Sequence, residues 1–294
     1  MAEPEAFREG PEAEPRLRCK KMKRKVVSVI ILLLILPAFA LADLEVHFLD
    51  VGQGDCAVIL CDGEVMVIDG GPRASADMVY GYIRNTLRLS RIEYIVSTHP
   101  HLDHVYGLSS VLNAAPVDLV LTPVTKWDSK AFSYMARYAE RQGTPLSVPS
   151  DGDTLSLGGA TVTVLLCMPE AIDSGRTNDA SIVLRIDYGE TSFLFTGDAE
   201  DWSEYTLLTN GANLKADVLK VSHHGSSTAS TMEFLQEVSP EYAVISVGRE
   251  NGYGHPHRET LNRLEAVGAK VLRTDEEGTI VMKSDGKRVA AACH

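Results

Sequence analysis

Basic side chains are in short supply. The 294 residues carry 28 Lys and Arg against 40 Asp and Glu, a formal charge of −12. That excludes a protein gripping long nucleic acid across a broad cationic face, because neutralising many phosphates takes clustered Lys and Arg. Cysteine is scarce and scattered: there are five, with no Cys-x-x-Cys pair, so neither a disulfide framework nor a cysteine zinc site is encoded. Cys56 and Cys61 lie on one β-prone run and face opposite ways, which argues against a bond between them. The two Trp, Trp127 and Trp202, and the tyrosines are dispersed and give no stacking platform for single strands. Gly52 and Gly54 lack the G-x-x-x-x-G-K-S/T pattern and the following helix of a phosphate-cradling loop. They read as a hairpin turn, with Gln53 or Asp55 at the rim of a site. What remains, 45% hydrophobic with 23 Gly and 13 Pro, is ordinary globular composition; disorder, collagen and coiled coil are excluded.

One long apolar run is present. Val26–Ala42 holds no charged residue, follows Lys20, Lys21, Lys23, Arg24 and Lys25, and ends with Ala38, Ala40 and Ala42 at alternate positions. This is the pattern of a signal peptide cut before Asp43. An uncleaved anchor is the alternative, although the run is short of the about 20 residues a span needs and Pro37 interrupts it. Either reading exports the body and confines membrane contact to the N-terminal segment. The chain divides accordingly into 1–42, an extension with signal peptide or anchor, and 43–294. Without 1–42 the body has 20 basic and 35 acidic residues, a charge of −15.

From Leu44 onward, short β-prone runs (44–50, 57–60, 65–69) are joined by glycine turns, then strands alternate with helices. Helices are expected over 77–87, 108–113, 129–142, 199–208 and 258–266, and strands over 92–98, 118–122, 161–166, 181–188, 191–198, 217–222, 242–247, 270–273 and 279–283. Each half delivers an aspartate from the end of a hydrophobic strand, Asp69 and Asp198. No linker-like stretch divides the halves, which reads as one domain.

His99, His101, Asp103 and His104 fall within six residues after a strand rich in Ile, Val and Tyr. In an extended segment His99 and His101 point the same way, so both can chelate one cation. Asp103 and His104 lie where the chain bends into a helix and can face a second. Imidazole nitrogen with carboxylate oxygen suits Zn²⁺, Mn²⁺ or Fe²⁺.

This His-x-His-x-Asp-His run resembles the signature of the metallo-β-lactamase fold superfamily. Asp69, in Ile-Asp-Gly-Gly, resembles its first motif, whose carboxylate orients the metal loop; Asp198, in Phe-Thr-Gly-Asp, resembles its bridging ligand. His223 and His224 resemble its late histidine motif, with His224 expected to ligate and His223 to stand beside the reacting group. More narrowly, Phe-Leu-Asp-Val-Gly-Gln-Gly-Asp (48–55), Asn-Asp-Ala-Ser-Ile-Val-Leu (178–184), His-His-Gly-Ser (223–226) and Tyr-Gly-His-Pro-His (253–257) are similar to the hydrolase domain attached to ComEC-type DNA-uptake proteins, here as a free-standing, exported version. The resemblance implies an α/β chain folded as a four-layer αββα sandwich, holding two divalent ions, Zn or Mn, that activate water. His223 or His255 would hydrogen-bond a phosphoryl oxygen or protonate the leaving group. The superfamily's third motif normally supplies a histidine, yet 160–197 contain none. Asn178 or Asp179 stands nearest that place, and an oxygen ligand there favours Mn²⁺ or a loosely held first ion. The implied substrate is a phosphodiester, DNA or a small phosphoester. Alternatives are a phosphorylcholine esterase-like wall enzyme, which the sequence also resembles, and a non-catalytic metal-binding module.

Overall fold

The computed structural model describes residues 44–292; the signal peptide or anchor expected within 1–42 lies outside them. Among the described residues no helix is long and apolar enough to cross a membrane.

The chain opens with an antiparallel meander of β1 (Leu44–Phe48), β2 (Ala57–Cys61) and β3 (Glu64–Ile68). Helix α1 (Ala76–Gly81) then carries it to β4 (Ile92–Val96), parallel to β3. The short α2 (Leu102–Val105) and α3 (Leu108–Ala114) lead to β5 (Val117–Leu121), and α4 (Lys130–Gln142) to β6 (Leu146–Ser147), both added in parallel. The second half repeats the scheme. The strands β7 (Thr154–Leu157), β8 (Ala160–Leu166), β9 (Val183–Tyr188) and β10 (Thr191–Phe195) are antiparallel. Then β11 (Val218–Lys220), β12 (Tyr242–Ile245) and β13 (Lys270–Arg273) add in parallel through α5 (Asp201–Thr209), α6 (Met232–Val238) and α7 (Arg258–Ala266). After α8 (Thr274–Glu277), β14 (Ile280–Ser284) returns to pair with β1, and β15 (Val289–Ala291) closes that edge.

The strands alternate apolar side chains to both faces, as burial between layers requires. Phe48 and Ile59 from one sheet meet Phe195 and Ile186 from the other in a shared core, with the Phe48 and Phe195 rings stacked at 5.7 Å. The opposite faces carry their own apolar layers: Val67 and Ile95 under Phe132 and Met135 of α4, and Leu194 and Leu219 under Phe234 and Leu264 of α6 and α7. This is the four-layer αββα sandwich.

Helix ends follow local chemistry. Ser129 Oγ accepts from Phe132 N at the start of α4, and Gly143 ends it in the left-handed region, φ 74°. The helix expected over 77–87 instead breaks after Gly81 into a π-helical turn, Tyr82–Thr86; periodicity cannot distinguish these windings. The sequence expectations omit α6, α8, β6, β7 and β15; the last four are too short to show a period, whereas α6 is as long as α3.

The topology fixes where chemistry can collect. In each sheet the first parallel pair, β3 with β4 and β10 with β11, brings two strand C-termini side by side. Asp69 and His99–His104 follow one pair, and Asp198 and His223–His224 follow the other.

Candidate metal centre

Beyond β4 the chain bends at His99 and Pro100 and is extended at His101 (φ −71°, ψ 153°) before α2 begins. The bend brings His99 Nε2 within 3.0 Å of His101 Nδ1. The turn of α2 curls Asp103 and His104 back, placing the His104 ring 4.2 Å from that of His99. Close backbone packing holds this loop against the one after β3. A Cβ on Gly107 would lie 1.8 Å from the Gly70 oxygen, so a side chain there would drive the two loops apart. Beneath them Asp69, fully buried, accepts from Thr98 N (2.8 Å), the Thr98 hydroxyl (2.7 Å) and His104 Nδ1 (2.9 Å). Burial pushes its carboxyl above the usual range, with His104 opposing. With Nδ1 committed, His104 turns Nε2 toward Asp198 Oδ2, 3.2 Å away.

Asp198 is central. Its Oδ2 also lies 3.7 Å from His99 Nε2, 3.7 Å from His224 Nε2 and 3.9 Å from His223 Nε2. His223, His224 and Gly225 occupy a left-handed turn (φ 48°, 53° and 82°) rather than a strand end. That conformation costs a non-glycine residue on the order of 1–3 kcal/mol, and a Cβ at Gly225 would also meet Pro256 at 2.6 Å. The turn separates the two imidazoles. His224 is buried, donates from Nδ1 to the Ser246 carbonyl (3.0 Å) and faces Asp103 with Nε2 (3.4 Å). His223 stays partly exposed, with Nδ1 3.0 Å from Glu200 Oε1.

The field is strongly negative. Burial raises the Asp198 and Asp103 carboxyls, but the imidazoles of His104 and His224 outweigh it and hold both well below the carboxylate range. Reciprocally, burial would lower His224 and His104, yet Asp198, seconded by Asp55 for His224 and by Asp69 for His104, lifts His224 to about 10 and His104 well above its ordinary value. His99, buried next to His104, is driven well below. Positive charge is thus favoured in this pocket. His104 Nε2, His224 Nε2 and Asp198 Oδ1 are also buried without a hydrogen-bond partner, a state costing about 1–3 kcal/mol per group unless something binds it. Ligand atoms of His99, His104 and Asp198 all lie within 4.8 Å of one another, as do those of Asp103, His104 and His224. Nitrogen and carboxylate donors at these spacings fit divalent cations, with His101 alongside His99.

His101, Asp103, Asp198 and His224 line a cavity of about 380 Å³, the size of a small-ligand site, with His99 and His104 buried behind them. Of the two residues considered for the missing histidine, Asp179 is consumed structurally: its Oδ1 accepts from Glu200 N, Ser203 N and the Ser203 hydroxyl at the start of α5. Asn178 lines the cavity, with Oδ1 buried and unpartnered. His255 also lines it; burial, and then His223 and His224, bring it down to about 4. Gln53 is at the rim, but Asp55 is not. Asp55 is buried behind the site, with Oδ2 2.7 Å from Lys220 Nζ and Oδ1 3.2 Å from His224 Nδ1. Tyr253 stands at the cavity, contrary to the reading of the tyrosines as mere scatter, because where a loop delivers a ring is not visible in spacing. His47 sits in β1 away from the cavity, 2.9 Å from the Tyr82 hydroxyl. Sequence reasoning missed Glu200 altogether; its one available signal was its closeness in sequence to Asp198, two residues on, just past the turn at Gly197 and Asp198.

A family model described as the metallo-beta-lactamase superfamily matches residues 49–249. The chain is 30% identical over 270 residues to ComE operon protein 3 of Bacillus subtilis, covering 86% of this chain and 34% of that protein. It is 30% identical over 242 residues to Recombination protein 2 of Haemophilus influenzae, covering 80% and 28%. It therefore spans about a third of the length of these curated relatives. Among solved structures it is similar to the metallo-beta-lactamase fold protein YhfI of Bacillus subtilis (TM-score 0.54, 12% identity, 82% of this chain and 100% of that one). It is also similar to CmlA, a diiron beta-hydroxylase of Streptomyces venezuelae (TM-score 0.51, 18% identity, 79% and 52%). At these identities the structural likeness concerns the fold alone.

Proposed function

The chain belongs to the metallo-beta-lactamase superfamily, and from that premise we propose that it is a metal-dependent phosphodiesterase. The observation that carries the reading is the clustering of His99, His101, Asp103, His104, Asp198 and His224 at and just beneath one cavity, three of their atoms buried without a partner. These six residues are the proposed metal ligands, with Asp198 between two positions and Asn178 offering an oxygen where the family pattern has a nitrogen. Divalent cations held there would supply Lewis acidity and bring the pKa of water from 15.7 toward about 7.

The rest is done by this chain's own groups. Asp69 fixes His104 through Nδ1 and the loop through Thr98. Glu200, itself held by the Thr228 hydroxyl at 2.8 Å and Asn178 Nδ2 at 3.3 Å, fixes the His223 ring through Nδ1. The other nitrogen of His223 then faces the cavity, positioned to hand a proton to the departing oxygen. His255, neutral near pH 7, can donate one N–H to a phosphoryl oxygen. A relative named for recombination, the Haemophilus influenzae protein, favours a nucleic-acid phosphodiester among the bonds this chemistry opens. The acidic balance of the chain favours a short or single-stranded substrate over a duplex held along its length.

Metal analysis of the purified protein, together with hydrolysis of bis-p-nitrophenyl phosphate under Mn²⁺ and Zn²⁺, tests this. Two ions per chain and metal-dependent turnover are expected; a single ion with no turnover would leave a metal-binding module instead. The basic and apolar N-terminal run supports export, to be checked by N-terminal sequencing of the protein recovered from its host, with a start at Asp43 expected.

A further inference from the structure

Two large apolar side chains at the cavity are exposed: Leu102, 59%, and Tyr253, 70%. Single exposed hydrophobics are ordinary on a protein surface. Two of them, from separate elements and both lining the same cavity, are not scattered. Among the described residues neither Lys nor Arg lines this cavity, so a phosphate there would rely on the floor.

The loop bearing Tyr253 is built to keep the ring out. Asn251 Nδ2 donates to the carbonyls of Gly248 (2.9 Å) and His255 (2.6 Å), while its Oδ1 accepts from Tyr253 N (3.1 Å) and His255 N (3.0 Å). One side chain thus closes the loop on itself around Tyr253. The ring lies 5.7 Å from that of His255 at 26°, a near-parallel pair that fixes its plane beside the reacting groups. A rigid, solvent-facing aromatic surface gives up little entropy when a flat group settles on it.

We propose that Tyr253, with Leu102 lining the same cavity, is a stacking subsite for the unpaired nucleobase next to the scissile phosphate. It rests on the phosphodiesterase reading and deepens it. Every base presents a π-face, so such a site tolerates sequence while requiring that the base be out of a duplex. A choline-type ammonium could also sit over an aromatic face, but such a cage is typically formed by several rings, and Leu102 provides none.

The test mixes Mn²⁺-loaded protein with a single-stranded 2-aminopurine trinucleotide and reads the fluorescence quench before any turnover. Wild type and Tyr253→Phe should bind alike, and Tyr253→Ala should bind about 5- to 150-fold more weakly. A trinucleotide lacking the base should bind wild type and Tyr253→Ala equally. Equal 2-aminopurine affinity in wild type and Tyr253→Ala overturns the proposal. So does a Tyr253→Ala variant that loses phosphocholine binding while keeping the trinucleotide. Hydrolysis of bis-p-nitrophenyl phosphate, followed in parallel, separates the two readings. Tyr253-dependent quenching with no turnover refutes the hydrolase and leaves the subsite standing; turnover with Tyr253-independent binding does the reverse.

Discussion

A lysine inside the sandwich invites a direct test of how the two sheets are joined behind the cavity. Lys220, in β11, projects on the same side as Val218, toward the core between the sheets. Its ammonium lies 2.7 Å from Asp55 Oδ2, with side chains 4% and 7% exposed, and also donates to the Val221 carbonyl at 3.0 Å. Burial pushes the Asp55 carboxyl up, but Lys220 and then His224 hold it below its ordinary value. The pair ties the loop after β1 to the second sheet, and Asp55 N donates in turn to the Asp103 carbonyl at 3.2 Å. Lys220→Met keeps the volume and deletes the charge, leaving a buried carboxylate with only the His224 imidazole, 3.2 Å from its other oxygen, beside it. Breaking such a pair costs about 3–5 kcal/mol, a large share of the roughly 5–15 kcal/mol that holds a domain together. Asp55→Asn should cost a similar amount, whereas the double variant should lose much less than the sum, because no buried charge is left uncompensated. Urea unfolding followed by circular dichroism reads all four corners of the cycle. Additivity within about 0.5 kcal/mol would show that the two groups do not depend on one another, and the reasoning would fail.

Asp198→Ala should lose bound metal and all turnover while retaining its circular dichroism spectrum, since it removes a ligand rather than core volume; metal-dependent activity above background would contradict the assignment. His223→Ala should lower kcat by about 100- to 10,000-fold with KM little changed, as for loss of a proton donor, and Glu200→Gln should fall between it and wild type; steady-state kinetics decide. Glu204 in α5 is buried, accepting from Thr231 N (2.8 Å) and the Thr231 hydroxyl (2.7 Å), and burial raises its carboxyl to about 7. Its folded form therefore keeps a proton that the unfolded chain releases near 4.5, so stability should fall between those two values as pH rises, by up to on the order of 3 kcal/mol. Glu204→Gln should flatten that slope, and an unchanged slope in the variant would locate the proton elsewhere.

Some of this was written in the chain itself. Alternation of apolar residues marked most of the strands, Gly143 the end of α4, and the His-x-His-x-Asp-His spacing a cluster of imidazoles, because periodicity and local chemistry need no partner. The two-residue spacing also put His99 and His101 within reach of each other, although a bend at His99 and Pro100, rather than an extended run, joins their rings. It was silent on long-range geometry. Whether Asn178 or Asp179 faces the cavity depended on which one α5 needed at its start, and Asp55 left the rim because Lys220, 165 positions later, required a buried partner. Glu200 met His223, and Tyr253 reached the cavity, only when the parallel strands β10, β11 and β12 of the second sheet set their loops side by side. Those outcomes turn on desolvation and on contacts between distant segments, and both come into being only when the sheets close on each other.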